Sequence, residues 1–446
     1  MATTCIRPQP RLYGTATLNH LAHLRRLPQV IERLAKPSNV TLKMLRRCAL
    51  SREGLEGSLL LVNDINCLLE SGLAQLKVPS RDASNLPFLF VKGVNIELTY
   101  SCNLACSHCL QSPLRTSSLN NWIDEKTTLQ ALEQAQWLGL TKLGCNITGG
   151  ETFMPNSPIL EILNGTNKLG IPTRANTNAW WGNRKDIQIG KQQFSSDGEL
   201  VKILSDCGLS RLALSLDNRY EQYPELLDRV IRVACLCEKN RLPYEFVSTE
   251  PNSTICTKAS MAIKNTIGST PRYIQITPMQ IVDIGAAKPT TAIQPFMTHL
   301  DQLALQSPCG GAGFHKPYYL HIAPDGGIRS CLYAPAGGWI GNIYHQSLVD
   351  ILNTASSNPV SKIFEHKRLD SFVAKYLIPW QHYYRGISHG CTASALIARL
   401  AEQIYGLETS QGHPPTSEQV TGIHKVLANG LGLEAMPSSE KESIML

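Results

Sequence analysis

The sequence predicts an α/β protein built around an open (β/α)6 barrel, with a small helical unit before the barrel and an extension after it. Three observations favour this class. Stretches rich in β-branched and apolar residues alternate with segments of helical periodicity between residues 91 and 290. Six such strand-like stretches are present, and polar residues directly follow several of them. Active sites of α/β barrels lie at the carboxyl ends of the strands, so we expect the functional residues there.

The first 90 residues precede the barrel. Residues 18–34 and 42–50 have helical periodicity, and a short helix and a strand-like stretch follow them. This order suggests a small winged-helix-like unit; a helical extension packed on the barrel is the alternative. Residues 1–52 contain ten Lys or Arg and one acidic residue. Such a charge pattern favours a surface for an acidic partner or, equally, a solvated basic arm; an organelle presequence is disfavoured by three early prolines.

The first barrel strand, over residues 94–99, leads directly into a loop with three cysteines. Cys102, Cys106 and Cys109 have the spacing C-x3-C-x2-C. Three thiolates on so short a loop can turn toward one iron–sulfur cluster, and such clusters are usually held by four cysteines. Because no fourth cysteine lies in the loop, one iron stays open to another ligand, as in reactive metal sites. A zinc site or buried thiols are the alternatives, but structural zinc favours four ligands in two pairs.

The second predicted strand, over residues 143–148, runs straight into Gly149, Gly150 and Glu151. Two glycines allow the backbone to approach a ligand closely, and a carboxylate suits a positively charged amine. Alone, this tripeptide is typical of a turn. Its place at the end of a strand, one helix after the cysteine loop, favours a binding role.

The third and fourth predicted strands cover residues 171–179 and 209–216, and the segment 184–198 between them is predicted to be an exposed polar insertion. Residues two apart on a strand share a face. The candidate binding residues found in this way are Asn176 and Asn178 on the third strand and Ser215 and Asp217 on the fourth. A helix N-cap is the alternative role for Asp217.

The fifth and sixth predicted strands cover residues 244–249 and 273–277. Glu245 and Ser248 on the fifth strand are candidate pocket residues. The sixth is followed by a Pro-Met pair and then by Ile-Gly-Ala-Ala. The barrel therefore takes up residues 91–290.

The cysteine spacing directly after a strand resembles the signature of the radical S-adenosylmethionine (SAM) enzymes, and the later motifs resemble that family as well. In that family, SAM binds the open iron of a [4Fe-4S] cluster and is cleaved reductively to methionine and a 5′-deoxyadenosyl radical. The resemblance implies that Cys102, Cys106 and Cys109 hold this cluster. The SAM contacts that it implies are His108 near the adenine, Gly149, Gly150 and Glu151 at the ammonium group, Asn176 and Asn178 at the barrel mouth, and Ser215 and Asp217 at the ribose.

Residues 300–400 resemble the SPASM or twitch extension of the same family, which holds an auxiliary iron–sulfur cluster. The resemblance depends on Cys309, Cys331 and a hairpin turn between them, and implies that these cysteines and Cys391 hold an auxiliary [4Fe-4S] cluster. Ser394 stands where the twitch form has a further cysteine, so the fourth ligand is Ser394, a nearby histidine or none. A degenerate hairpin with buried free thiols is the alternative.

The C-terminal segment, residues 401–446, is predicted to contain the end of an amphipathic helix over residues 396–406, then polar sequence and a disordered tail. The chain has 43% hydrophobic and 17% charged residues, which is typical of globular proteins. It has no apolar run long enough to span a membrane and no signal-peptide core, so we expect a cytoplasmic protein without a membrane partner. The fourteen cysteines are spread along the chain and do not form a disulfide framework.

The leading hypothesis for function is modification of a ribosomally synthesised peptide, which the basic N-terminal segment and the SPASM-like extension favour. Several peptide-modifying radical SAM enzymes carry a winged-helix-like unit that binds a leader peptide. The alternative is a dehydrogenase or rearrangement enzyme for a small molecule such as an aminocyclitol or a sugar. Either needs an electron donor such as flavodoxin or ferredoxin. A non-catalytic iron–sulfur sensor or a nucleic-acid binder is disfavoured, because neither needs a SAM pocket.

Overall fold

The computed structural model describes residues 91–106, 108–111, 122–217, 220, 224–249, 254–278, 319–331, 340–355, 358, 360, 363, 369–384, 387, 390–431 and 433. The predicted N-terminal unit, Cys309 and the C-terminal tail lie outside the described residues.

The described strands form a nine-stranded sheet and a separate two-stranded one. The strands in chain order are β1 (Gly93–Glu97), β2 (Cys145–Thr148), β3 (Thr173–Thr177), β4 (Lys185–Ile189), β5 (Gln192–Ser196), β6 (Leu209–Ser215), β7 (Tyr244–Ser248), β8 (Ile274–Pro278), β9 (Tyr319–Ile322), β10 (Gly327–Arg329) and β11 (Gly341–Asn342). In the large sheet their order is β11-β10-β9-β1-β2-β3-β6-β7-β8.

Helices connect the parallel strands and make up most of the C-terminal part of the described chain. They are α1 (Glu125–Trp137), α2 (Ile159–Lys168), α3 (Asp197–Asp206), α4 (Pro224–Asn240), α5 (Thr254–Ile267), α6 (Leu348–Ala355), α7 (Leu369–Tyr376), a 3-10 helix (Ile378–Tyr383), α8 (Gly390–Gln411) and α9 (Ser417–Gly430). Short polar side chains begin several of them: Asp124, Ser196 and Thr416 each accept a backbone N–H of the first turn of α1, α3 and α9.

The six predicted barrel strands are β1, β2, β3, β6, β7 and β8. They are parallel and adjacent in chain order, and a helix lies in each connection between them. Because such crossovers are right-handed, an order that never reverses places all five helices on one side of the sheet. This is the arrangement of a partial barrel rather than of a doubly wound sheet.

A C-terminal hairpin extends the sheet beyond β1. Strand β9 pairs parallel with β1, on the side away from β2, and β10 returns antiparallel to it. The turn between them is the one predicted over residues 322–326, and Gly326 has the positive φ of 78° that such a turn needs. The hairpin therefore lies beside the strand that delivers the cysteine loop.

The two faces of the large sheet differ in chemistry. Residues such as Val94, Ile96 and Leu212 are buried against the helices in the main apolar core. The alternate residues lie in register across the strands and form what we call the polar face. Its polar members are Asn95, Glu97, Asn146, Thr148, Arg174, Asn176, Arg211, Ser215, Glu245, Gln275, Thr277, His321 and Arg329. Parallel sheets covered on both sides are usually apolar throughout, so a polar face indicates a binding surface.

The segment predicted to be an exposed polar insertion is a hairpin of β4 and β5 packed on the barrel. Ile187, Ile189 and Phe194 are buried in the main core, while the alternate residues are exposed. The apolar residues alternate with period two, and this pattern is the signal that the polar composition concealed.

A second apolar core lies in the C-terminal part of the described chain and joins α7, the 3-10 helix, α8 and α9. The predicted boundary at residues 400/401 falls inside α8, which runs unbroken across it. Helix α9 occupies polar sequence for which no helix was predicted. Its signal is a capping box, in which Thr416 and Gln419 each bond the other's backbone N–H. Among the described helices, none is long and apolar enough to cross a membrane.

Candidate functional site

The cysteine loop begins at the carboxyl end of β1. Cys102, Cys106 and Cys109 form no disulfide bond, and each is partly open to solvent. The backbone N–H of Leu104 points at the Cys102 sulfur with an N···S distance of 3.4 Å. Such N–H contacts stabilise a thiolate, which is the form that binds metal.

A buried carboxylate closes the base of the loop. Glu97 on β1 is fully buried and accepts a hydrogen bond from Gln111 at 2.9 Å and one from the Tyr100 hydroxyl at 3.3 Å. The guanidinium of Arg329 on β10 forms an ion pair with the same carboxylate. Tyr100 precedes the three cysteines and Gln111 follows them, so Glu97 joins both ends of the loop to the C-terminal hairpin. The signal in the sequence is an acidic residue within an otherwise uncharged strand.

Gly149 and Gly150 lie against the chain that enters the cysteine loop. Gly150 donates its N–H to the Thr99 carbonyl at 2.7 Å, and Glu151 donates to the Ser101 carbonyl at 2.9 Å. A Cβ atom at Gly150 would lie 1.9 Å from the Ser101 oxygen, and one at Gly149 would lie 2.5 Å from the Thr99 oxygen. These glycines therefore allow two backbone segments to approach each other, and their close approach to a ligand stays a prediction.

The carboxylate of Glu151 is 1% exposed and accepts three hydrogen bonds. The donors are the N–H groups of Asn178 (2.8 Å) and Phe153 (3.0 Å) and the Thr177 hydroxyl (2.8 Å). Burial raises the pKa of Glu151 to about 7, although the three donors act in the opposite direction. The side chain holds the end of β3 against β2, and its contact with an ammonium group stays a prediction.

The two predicted asparagines of the third strand have different neighbours. Asn178 donates from Nδ2 to the Asn103 side chain at 2.9 Å, so it contacts the cysteine loop directly. Asn176 lies deeper on the polar face, where it donates to Thr148 at 3.1 Å and accepts from Arg174. Of these two residues, Asn178 is therefore the one at the loop.

His108 and Asp217 come together across the mouth of the barrel. The distance between His108 Nε2 and Asp217 Oδ2 is 3.4 Å. Asp217 also accepts from the N–H and the hydroxyl of Thr249, at 2.7 and 2.6 Å. Burial raises the pKa of Asp217, but the hydrogen bonds from His108 and Thr249 outweigh it, and the net shift is downward. Ser215 is half-buried at the end of β6, two residues before Asp217.

Tyr220 is a buried aromatic residue at this edge that sequence reasoning missed. Its backbone N–H donates to the Asp217 carbonyl at 2.8 Å. Burial raises the pKa of its phenol well above the ordinary value, and negative charge on Cys106, Asp217, Glu151 and Cys102 adds to the increase. The cysteine loop, the end of β2 and the end of β6 therefore share one electrostatic environment.

The three cysteine side chains are not gathered as a metal site. Within the described part of the chain, no group of three or more His, Cys, Asp or Glu side chains is arranged to hold a metal ion. The donor set does fit an iron–sulfur cluster, because three partly exposed cysteines that form no disulfide bond lie on one short loop. A cluster would therefore require the loop to draw its sulfur atoms together.

The second predicted set of cysteines is described only in part, since Cys309 is outside the described residues. Cys331 follows β10 and packs against the second core, to which Cys391 belongs. Cys391 and Ser394 are both buried in the first two turns of α8. An auxiliary cluster held by Cys309, Cys331 and Cys391 stays a prediction.

Comparison with known proteins gives little beyond this geometry. No family model matches the chain. No curated protein matches it either. Among solved structures, it is similar to the crystal structure of BtrN in complex with AdoMet and 2-DOIA, with 11% identity and a TM-score of 0.36 over 63% of this chain and 90% of that one. A likeness this distant does not establish a shared fold, so the function proposed below depends on this chain's own residues.

Proposed function

We propose that the protein is a radical SAM iron–sulfur enzyme that abstracts hydrogen from its substrate. The observation that carries this proposal is the convergence of the predicted motifs on one edge of the sheet. The cysteine loop contacts the end of β2 through Gly150, the end of β3 through Asn178 and the end of β6 through the pair of His108 and Asp217. These residues come from segments far apart in the sequence, and a shared ligand explains why Asn178, His108 and Asp217 are polar.

Cys102, Cys106 and Cys109 would hold the [4Fe-4S] cluster, which together with SAM supplies the reductive cleavage that generates a 5′-deoxyadenosyl radical. The role of the chain's own residues is to bind and orient SAM. Asp217, which His108 and Thr249 keep ionised, accepts from the ribose hydroxyls. The buried Glu97 holds both ends of the cysteine loop in place through Tyr100 and Gln111. An electron donor such as flavodoxin or ferredoxin would supply the electron for this chemistry.

Two substrate classes fit this chemistry. Modification of a ribosomally synthesised peptide is the leading sequence prediction, and it depends on the N-terminal segment and on the auxiliary-cluster region. Dehydrogenation or rearrangement of a small molecule is the second candidate, and the polar face favours it. That face offers charged and amide groups inside the barrel, which suit a compact polar molecule.

The proposal is tested by anaerobic reconstitution of the full chain with iron and sulfide. Wild type is expected to bind about eight irons if both clusters form, and the Cys102/Cys106/Cys109→Ala variant about four fewer. With SAM and a reductant, wild type should form 5′-deoxyadenosine and the variant should form none. Cys207→Ala, which changes a half-buried thiol far from the loop in sequence, is the matched control and should behave as wild type. Retention of iron and of 5′-deoxyadenosine formation by the triple variant would contradict the proposal.

A further inference from the structure

The charges on the polar face do not balance. It carries three arginines, Arg174, Arg211 and Arg329, and two carboxylates, Glu97 and Glu245. Arg329 pairs with Glu97, and Arg174 pairs with Glu245. Arg211 bonds the Gln275 side chain at 2.8 Å and has no carboxylate partner among the described residues. One positive charge is therefore left on a surface that faces the interior of the barrel.

The two ion pairs differ in how open they are. Arg329 and Glu97 are both 0% exposed, as expected for a structural pair. The Arg174 side chain is 27% exposed, although Glu245 beside it is only 2% exposed. A partly exposed arginine that is held by a buried carboxylate can donate its remaining N–H groups to a ligand without losing its position.

The Arg174 guanidinium is held through two of its three nitrogen atoms. Its Nε bonds Glu245, and its Nη1 donates to the Asn146 side chain at 2.6 Å and to that of Asn176. Thr277 donates to the second oxygen of Glu245 and so holds the carboxylate. The described residues provide no hydrogen-bond acceptor for Arg174 Nη2. The group is thus preorganised with two N–H donors still to be used.

Arg211 lies directly beside Arg174 on the neighbouring strand, in register and on the same face. Two adjacent guanidinium groups repel each other, and the single carboxylate nearby neutralises only one of them. A bound anion would remove this repulsion. Arginine pairs of this kind suit the two or three oxygens of a carboxylate or a phosphate.

The position of this pair also limits the size of its ligand. Arg174 lies four residues before Asn178, the residue that contacts the cysteine loop. At about 3.3 Å per residue, the Cα atom of Arg174 lies roughly 13 Å below that of Asn178, and its guanidinium reaches up to the side chain of Asn176. This depth suits a molecule about the size of a monosaccharide, with one end at the arginines and the other facing the loop.

We propose that Arg174 and Arg211 form an anion subsite deep on the polar face, which binds the carboxylate or phosphate group of a small polar substrate. Glu245 holds Arg174 in place, and Asn146 and Asn176 orient it. The assignment of this ligand as substrate rests on the proposed radical SAM function. An anion subsite of this kind favours a small-molecule substrate over a peptide substrate.

The test is calorimetric binding to the reconstituted full chain with SAM and without reductant. The probes are D-gluconate, D-glucose 6-phosphate and neutral D-glucose at one ionic strength. Wild type should bind at least one of the two anions about tenfold more tightly than glucose, since a charge-assisted hydrogen bond is worth roughly that factor. Whichever anion shows the larger preference identifies the headgroup as carboxylate or phosphate.

Three arginine variants decide where the anion binds. Arg211→Gln leaves the pair of Arg174 with Glu245 intact and should lose most of the preference for anions. Arg174→Gln should lose it as well. Arg272→Gln makes the same substitution at an exposed position outside the polar face and should keep it. Equal binding of anions and glucose by wild type, or equal loss of preference in Arg211→Gln and Arg272→Gln, would overturn the proposal.

The measured preference for anions is independent of SAM cleavage, because no reductant is present in the calorimetric experiment. A wild-type protein that prefers anions but forms no 5′-deoxyadenosine would contradict the proposed function alone. One that forms 5′-deoxyadenosine but does not prefer anions would contradict the anion subsite alone.

Discussion

Glu151 and Asp217 are two carboxylates at the same edge of the sheet whose pKa values move in opposite directions. Glu151 is sealed from solvent, and burial outweighs its three hydrogen-bond donors. Asp217 accepts hydrogen bonds from His108 and Thr249, and their effect on its pKa outweighs that of burial. Neighbouring acids with diverging pKa values are typical of functional sites. The motif alone identified both residues, but the difference between them depends on the surroundings that folding creates.

The raised pKa of Glu151 predicts that the protein loses stability as pH rises. A carboxyl whose folded pKa lies above its unfolded value binds its proton more tightly when folded, so its contribution is complete below pH 4.5 and is lost by about pH 7. The free energy of unfolding should fall by about 3 kcal/mol across this window because of this one group. Urea titrations of wild type and Glu151→Gln measure it, and the variant should lack this decrease.

Glu225→Gln is the control for that measurement, because Glu225 is exposed in the first turn of α4. It should keep the pH dependence of wild type. A Glu151→Gln profile parallel to that of Glu225→Gln would show that burial does not raise the pKa of Glu151.

At the scale of elements, the loop after β2 is shaped by contact with the cysteine loop. The glycines at this point have no room for a side chain, and the nearest atoms are backbone carbonyls that cannot rotate away. The geometry of the cysteine loop is thus supported by its neighbour rather than by its own short sequence. Substitution of one glycine should therefore displace the cysteine side chains, although the new side chain would not contact them.

Gly150→Ala is expected to reduce iron incorporation severely, since its Cβ would lie 1.9 Å from the Ser101 oxygen. Gly406→Ala is the matched control, because no atom lies within 4 Å of a Cβ at this helical position. That control should be neutral or stabilising by up to about 1 kcal/mol. Iron content after reconstitution and thermal unfolding compare the two. Equal iron content in both variants would disprove the role given to this contact.

The strands of the barrel could be predicted because each carries its own local signal of β-branched residues followed by polar ones. The predicted site residues at the strand ends belong to short motifs, so their positions followed once the strands were placed. Helix α9 was missed because its polar first turn conceals a capping box. The sequence predicts an exposed insertion at the β4–β5 hairpin for a similar reason, since polar residues separate its three apolar ones.

At the scale of the whole molecule, the contacts that sequence reasoning missed are long-range. Asn95 Nδ2 on β1 lies 3.2 Å from His321 Nδ1 on β9, although 226 positions separate the two residues. Glu97 and Arg329 are 232 positions apart. No local pattern indicates which strand will pair with β1 or which arginine will meet a buried glutamate. The C-terminal hairpin is therefore part of the barrel sheet and supports the base of the cysteine loop.

Removal of one partner of this buried pair should destabilise the whole protein. Arg329→Met leaves the Glu97 carboxylate buried without its cation, which costs about 3–5 kcal/mol. Lys202→Met is the matched control, because Lys202 and Asp206 form an exposed pair on α3, with side chains 66% and 44% accessible. Its loss should change the free energy of unfolding by no more than about 0.5 kcal/mol. Urea unfolding measures both, and similar values for the two variants would count against a structural role for the buried pair.

The parallel pairing of β9 with β1 also bears on biosynthesis. A ribosome that adds about 5–20 residues per second needs roughly 10–45 s to make the chain between these two strands. Throughout that interval the edge of β1 lacks its final neighbour and Glu97 lacks its cation. We expect iron to be inserted after translation has passed Arg329, when all the residues that support the base of the cysteine loop have been made.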